Sequence, residues 1–179
     1  MNKEVIKGKN VFFKMITLEN IYNGWLDWIN NAKLTEYLDT AGAISEESLI
    51  DYFNKSQPPR VYMFAIYDNN TEEYIGNARL SSINYDKGEA AYGRLIGNSN
   101  YHGRGLGTEV LKLLSMFAFN ELGLNKIYTG VNSKNLASIK SNLKAGASLE
   151  RVETKIDAFG KEHAIRTWYC SVWFKLWYQ

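Results

Sequence analysis

The segment Tyr101-His102-Gly103-Arg104-Gly105-Leu106-Gly107-Thr108-Glu109 places three glycines within five positions, directly ahead of an amphipathic run. Glycine lets a backbone approach a ligand closely, and the unpaired amides of a first helical turn attract an anion. The helix dipole adds about 0.3–1 kcal/mol of attraction for negative charge. Arg104 can add a bidentate phosphate contact. These residues therefore suit the grip of a phosphate or pyrophosphate. Two common phosphate loops do not fit. No Gly-Lys-Ser/Thr closes the segment, as a P-loop requires. The third glycine of a dinucleotide loop would fall on Thr108 or Val110, depending on which glycine pair is counted first. A plain helix-start turn is the bland alternative, and three clustered glycines make it the weaker one.

Such a loop must be presented by a strand and a helix, and the flanking chain supplies both. Residues 89–97 read as the strand. Leu106, Val110, Leu113, Leu114 and Phe117 share one face of a helix reaching about Leu122, with Gly123 ending it. Residues 126–131 read as the next strand, which a crossover helix makes a parallel neighbour of the first. A further helix carries Leu136, Ile139 and Leu143 and closes at Gly146. Two last strands, 147–157 and 163–177, are joined by a turn at 158–161. Upstream, residues 10–16 form a strand, and Thr17 caps a helix bearing Ile21, Trp25, Trp28 and Ile29. A second helix starts at Ser45, with Glu46 and Glu47 in its first turn and Leu49 and Phe53 facing inward. Residues 61–67 and 74–84 form a hairpin about Asp68-Asn69-Asn70-Thr71. The expected fold is a single α/β (α+β) domain over residues 1–179. It has a central mixed, mostly antiparallel sheet and helices on both faces.

Composition narrows the classes further. The chain has 179 residues, 45% of them hydrophobic, enough to bury roughly 70% of the unfolded surface without staples. Against 21 basic residues stand 19 acidic ones, a net charge of +2, so no nucleic-acid partner is implied. The lone Cys170 excludes an internal disulfide, and with only His102 and His163 besides, no metal site is expected. Residues 1–9 lack the apolar run of a signal peptide, and no stretch approaches the roughly 20 apolar residues of a membrane helix. A cytoplasmic protein without a membrane partner is expected.

Arg/Gln-x-x-Gly-x-Gly/Ala is the acetyl-CoA pyrophosphate loop of the GNAT superfamily of N-acetyltransferases, and residues 102–107 resemble it. His102 stands where the family has Arg or Gln. The longer segment 101–109 is similar to the branch containing ribosomal-protein N-terminal, diamine and amino-sugar acetyltransferases. Asn135-Leu136-Ala137-Ser138 with Lys144-Ala145-Gly146-Ala147 resembles the family's Asn-x-x-Ala/Ser … Lys-x-Gly-Phe helix, with Ala147 in place of the aromatic. The element order resembles the family over nearly the whole chain.

The resemblance implies acetyl-CoA as donor substrate and no metal. It assigns His102, Gly103, Arg104, Gly105, Leu106, Gly107 and Thr108 to the pyrophosphate, and Asn135 and Ser138 to the pantetheine arm. It also implies a splayed strand whose amides near Leu95 and Ile96 hold the thioester carbonyl. Gly93 marks either a bulge or a close backbone approach on that strand. The helix tyrosine that serves many relatives as general acid is Asn142 here, so Ser138 or Asn142 is expected to serve the leaving thiol, while Ser138 as a small residue facing the donor is equally compatible. The usual glutamate positions are Ala91 and Gly130, with Glu89, Glu36 and Asp39 as nearby alternatives. No nucleophile is needed, so Cys170 reads as a strand residue.

The acceptor pocket implied by the fold involves Tyr37, Asp39, Asn77, Arg79, Tyr92 and Arg94. Its aromatics suit a sugar or base and its arginines a phosphate. The expected acceptor is a small-molecule amine, a nucleotide-linked amino sugar being favoured. A ribosomal-protein N-terminus is the alternative acceptor, and a non-catalytic acetyl-CoA-binding protein the alternative class. A homodimer through the Trp-rich final strand is also compatible.

Overall fold

Eight strands and four α-helices form from these segments in a computed structural model that describes residues 6–38, 43–156 and 160–171. In chain order they are β1 (Ile6–Lys7), β2 (Val11–Met15), α1 (Leu26–Ile29), α2 (Glu46–Lys55), β3 (Tyr62–Asp68), β4 (Tyr74–Asn84) and β5 (Glu89–Ile96). α3 (Leu106–Met116), β6 (Lys126–Asn132), α4 (Leu136–Lys144), β7 (Ser148–Ile156) and β8 (Glu162–Ser171) complete the list. The strands make one sheet, ordered β1-β2-β3-β4-β5-β6-β8-β7, and only β5–β6 is parallel. The expected mixed sheet is therefore found.

The apolar run of β3 explains why helices lie on both faces. A strand covered on both sides is continuously hydrophobic rather than alternating. Phe64 and Ile66 point to one core with Val11, Phe13, Val110 and Leu114, where α3 packs. Met63 and Ala65 point to the other, with Ile21, Trp25 and Leu49 of the α1–α2 region. The α2 start is as expected: the Ser45 hydroxyl accepts from the Ser48 amide at 3.2 Å, and Glu46 and Glu47 occupy the positive end of the dipole.

The first helix departs from expectation. Thr17 does not cap a continuous helix; its amide donates to Asn20 Oδ1 at 2.8 Å. Residues 21–25 form a wide turn in which Gly24 has φ +138°, and only then does the four-residue α1 begin. A Cβ at Gly24 would lie 2.7 Å from the Trp28 ring, so glycine is what allows the fold-back. Ile21 and Trp25 reach the core nonetheless. The short β1 has no sequence signal. At the other end, β8 lies between β6 and β7, and Trp168 and Cys170 enter the α3-side core. The expected extension beyond residue 171, and residues 158 and 159 of the expected turn, lie outside the described residues. Among the described residues, no helix is long and apolar enough to cross a membrane.

Candidate active site

β5 and β6 pair only through Glu89↔Lys126, Ala90↔Ile127 and Ala91↔Tyr128. Beyond Ala91, β5 stays with β4 up to Ile96 while β6 continues against β8. The two strands part there, and β5 gains a free edge. Successive residues of an antiparallel strand turn their peptide groups to opposite sides. Gly97 N–H donates to Ile75 O at 2.9 Å, so Leu95 and Gly93 also turn toward β4. The peptide groups of Arg94 and Ile96 therefore face the opening. Sequence reasoning named Leu95 and Ile96; of the two, the Ile96 peptide faces the opening and the Leu95 peptide faces β4, while Arg94 also turns its peptide to the opening. Gly93 is not a bulge. It pairs in unbroken register with Arg79, and a Cβ there would stand 3.2 Å from Arg79 Nε, so the glycine serves a close approach.

The glycine loop ends beside this edge. Gly103 and Gly105 have φ of 75° and 78°, and Gly105 is the residue immediately before α3. Among the described residues no protein acceptor takes the amides of Gly103 to Gly107, while Thr108 N–H returns to Gly105 O at 3.0 Å. Leu106 anchors the turn in the core. The Arg104 guanidinium lies 4.8 Å over the Tyr101 ring, and the Tyr101 hydroxyl donates to Glu73 at 2.8 Å. Nearby, burial pushes the Asp68 carboxyl up, but bonds from the Thr71 and Asn70 amides, the Thr71 hydroxyl and the charge of Arg104 outweigh it and hold it below the usual range. Glu109 accepts from the Asn10 amide and side chain, each at 2.7 Å, fixing the first turn of α3 to the β1–β2 connection. His102 Nε2 lies 2.7 Å from the Ile96 carbonyl oxygen on the free edge. Asn135 caps α4, its Oδ1 accepting from Ser138 N–H at 3.0 Å. An uncommitted row of amides at a helix N-terminus, next to an open strand edge, fits a pyrophosphate with an extended amide-bearing arm.

On the α3–α4 side of the opening lies a polar cluster that sequence reasoning did not resolve. Arg94 donates to Ser141 Oγ at 2.5 Å and to Asn142 Oδ1 at 2.7 Å. Asn142 is fully buried, and its Nδ2 has no partner among the described residues. Arg94 also lies 5.8 Å over the ring of Tyr92, a core residue whose phenol burial pushes up. Burial pulls the Arg94 guanidinium down, against the pull of Tyr92 and Cys170. Two of the expected acceptor contacts, Tyr92 and Arg94, thus face the α3–α4 core; two-residue alternation sends them to the opposite face from Asn77 and Arg79. Ser138 is half-buried in the first turn of α4. Cys170 is buried in the same region, and burial pushes its thiol up to about 11.

The α1–α2 face carries the rest. Arg79 donates to the Tyr52 hydroxyl. Tyr74 donates to Asn77 Oδ1 at 2.6 Å, leaving the buried Asn77 Nδ2 without a partner among the described residues. Trp28 packs 4.8 Å from Tyr74, and its ring occupies the space a Cβ at Gly97 would need. Tyr37 is half-buried in the turn after α1, and Asp39 lies outside the described residues. Trp28, Tyr52 and Tyr74 were missed as site residues. Tyr52 falls three positions after Leu49, a spacing that places both on one helical face. At the usual glutamate positions, Ala91 pairs with Tyr128 and Gly130 with Thr167, so neither offers a base.

Residues 14–148 match the model of an acetyltransferase (GNAT) domain family. The probable N-acetyltransferase YjcK of Bacillus subtilis is 22% identical over 173 residues, covering 90% of this chain and 94% of that protein. The crystal structure of spermidine N-acetyltransferase from Vibrio cholerae, in complex with CoA and spermine, superposes with a TM-score of 0.85 at 19% identity, covering 94% of this chain and 99% of that one. A ribosomal L7/L12 α-N-protein acetyltransferase in complex with coenzyme A gives 0.80 at 14%, covering 94% and 98%. With the family model matching most of its length, the chain belongs to the GNAT acetyltransferases and is an acetyl-CoA-dependent N-acetyltransferase.

Proposed function

We propose that the acceptor is a small primary amine that also bears an anionic group, as a nucleotide-linked amino sugar does, and that it attacks the thioester directly in a ternary complex. The observation that carries this reading is Arg79. It lies across Gly93 on the α1–α2 face, bonded to Tyr52, with no carboxylate paired to it among the described residues. An unpaired guanidinium recruits phosphate or carboxylate and repels a polycation. Trp28, Tyr52 and Tyr74 supply rings suited to a sugar or base. The Arg94 and Ile96 amides face the opening, where oxyanion charge develops as the amine adds. Direct attack accords with Cys170, which is buried and holds its proton near neutral pH.

The test is acetyl-CoA turnover with three acceptors: an amino-sugar nucleotide, spermidine, and a peptide bearing a ribosomal-protein N-terminus. The amino-sugar nucleotide is expected to react best, and Arg79→Ala to raise its KM about tenfold or more, the lower range for losing a charge-assisted bond. Faster turnover of spermidine or of the peptide would overturn the reading.

A further inference from the structure

Arg94 is a cation with no carboxylate partner among the described residues, held where the sheet opens. Its contacts come from every element around it: Ser141 and Asn142 on α4, Tyr92 on its own strand, Cys170 on β8, and the first turn of α3, where Gly107 approaches within 3.5 Å of Nε at the Cβ position. The titratable groups among them, Tyr92 and Cys170, are both pushed toward their neutral forms by burial. Guanidinium has donors only, so its bond to Asn142 must fall on the amide oxygen. That fixes the amide orientation and leaves Nδ2 as the end free to donate. Ser141 Oγ donates onward to Ser138 O at 2.9 Å, so it too can only accept from Arg94. The bonds form one directed set.

We infer that Arg94 lets the CoA sulfur leave as a thiolate, by setting a positive charge beside it and by holding Asn142 with its donor end free. The inference rests on the placement of the thioester along the free edge of β5. A carbonyl held by the Arg94 amide carries its sulfur on the same carbon, in the part of the opening that the Arg94 side chain flanks. The C–N bond forms as the carbonyl π pair moves onto oxygen; as the carbonyl re-forms, the C–S bond breaks and its electron pair stays on sulfur, and the proton lost by the acceptor nitrogen passes to solvent. No protein acid is consumed, which accounts for an asparagine at a position where a proton donor is otherwise expected. Arg94 is thus a positioning residue for Asn142 and the counter-charge for the leaving group.

The test uses CoA itself as the probe. Its thiol is titrated in the complex by ultraviolet thiolate absorbance, beside free CoA. A free thiol ionises near 8.5, and a neighbouring cation lowers that value. The bound thiol of the unaltered protein is expected to titrate at least about one pH unit below free CoA, and that of Arg94→Gln at or above it. Linkage gives a second readout: near pH 6, where the thiol is protonated, both proteins bind CoA within about twofold of each other, whereas near pH 9 the unaltered protein binds about tenfold more tightly. Arg94→Lys keeps the charge and should keep most of the shift. Arg94→Gln should lower kcat about 10²–10³-fold with the acetyl-CoA KM little changed, the range seen on removing a transition-state donor. A bound thiol in the unaltered protein that titrates with free CoA overturns the inference even if no variant folds. Failure of CoA to bind at all would instead overturn the placement of the donor.

Discussion

The His102 imidazole reaches back to the Ile96 carbonyl, Nε2 standing 2.7 Å from the oxygen, and so ties the glycine loop to the open edge of β5. The two residues are separated by the turn that delivers the chain into α3. Their bond sets how far the loop amides stand from the edge. A substitution that keeps a donor at the tip should preserve that spacing. His102→Gln is expected to bind acetyl-CoA like the unaltered protein. His102→Leu should weaken binding about two- to tenfold, the worth of one net hydrogen bond. Calorimetry decides between them; equal affinities would show that the tether is idle.

Gly105 tests the loop by conformation rather than by contact. Nothing lies within 4 Å of the place a Cβ would take, yet φ is +78°. The difficulty for any side chain is therefore backbone strain, about 1–2 kcal/mol for an ordinary residue in the left-handed region. Gly105→Val should weaken acetyl-CoA binding by about tenfold or more with the far-ultraviolet dichroism unchanged, whereas Gly105→Asn, which tolerates that region, should lose far less. If Val and Asn behave alike, strain is not what the glycine avoids.

Cys170 should be dispensable for turnover. Its thiol is pushed from 9.0 up to about 11, so at neutral pH it is neither a nucleophile nor an easily alkylated group. Cys170→Ala should keep most activity, and initial-rate plots should intersect; parallel plots with an acetylated cysteine would contradict direct transfer. The sign of the linkage is set by the raised value. The buried neutral thiol favours the fold below pH 9.0, and that contribution disappears as pH rises from there through about 11. Stability of the unaltered protein should therefore fall more steeply over that interval than that of Cys170→Ala.

Ser138 can be separated from its helix cap. The cap uses its backbone N–H, bonded to Asn135 Oδ1, and its carbonyl accepts from Ser141; the hydroxyl is uncommitted among the described residues. Ser138→Ala should leave the cap and the acetyl-CoA affinity intact while lowering kcat about tenfold, the worth of one hydrogen bond to the departing thiolate. Unchanged turnover would reduce Ser138 to a small residue that merely leaves room.

The glycine-rich turn, the caps at Ser45 and Asn135 and the covered strand β3 were legible because each is written locally. Gly103 and Gly105 need positive φ, Asn135 and Ser45 need only the next turn, and β3 reveals two covered faces by its unbroken apolar run. What escaped depends on partners far apart in sequence. The periodicity of Ile21, Trp25, Trp28 and Ile29 reads as one helix, and only the Trp28 ring folded against Gly24 shows why it breaks. Gly93 left a bulge and a close approach open, and what decides between them, the Arg79 side chain, lies fourteen positions away. The choice between Leu95 and Arg94 amides turns on the phase of β5 against β4, which a one-residue slip would reverse. The Arg94–Asn142 bond joins residues 48 apart and has no local signature.

The position of β8 between β6 and β7 has a consequence for synthesis. β6 meets β5 at only three residue pairs, while seven pairs hold it to β8. A growing chain therefore exposes the glycine loop and α4 long before Trp168 and Cys170 arrive to fill the core on their side of the sheet. Pairings of such long sequence separation form late. A chain that stops short of Glu162 carries all of residues 101–109 and still lacks β8, the strand that holds β6 by seven pairs and braces one side of the cleft.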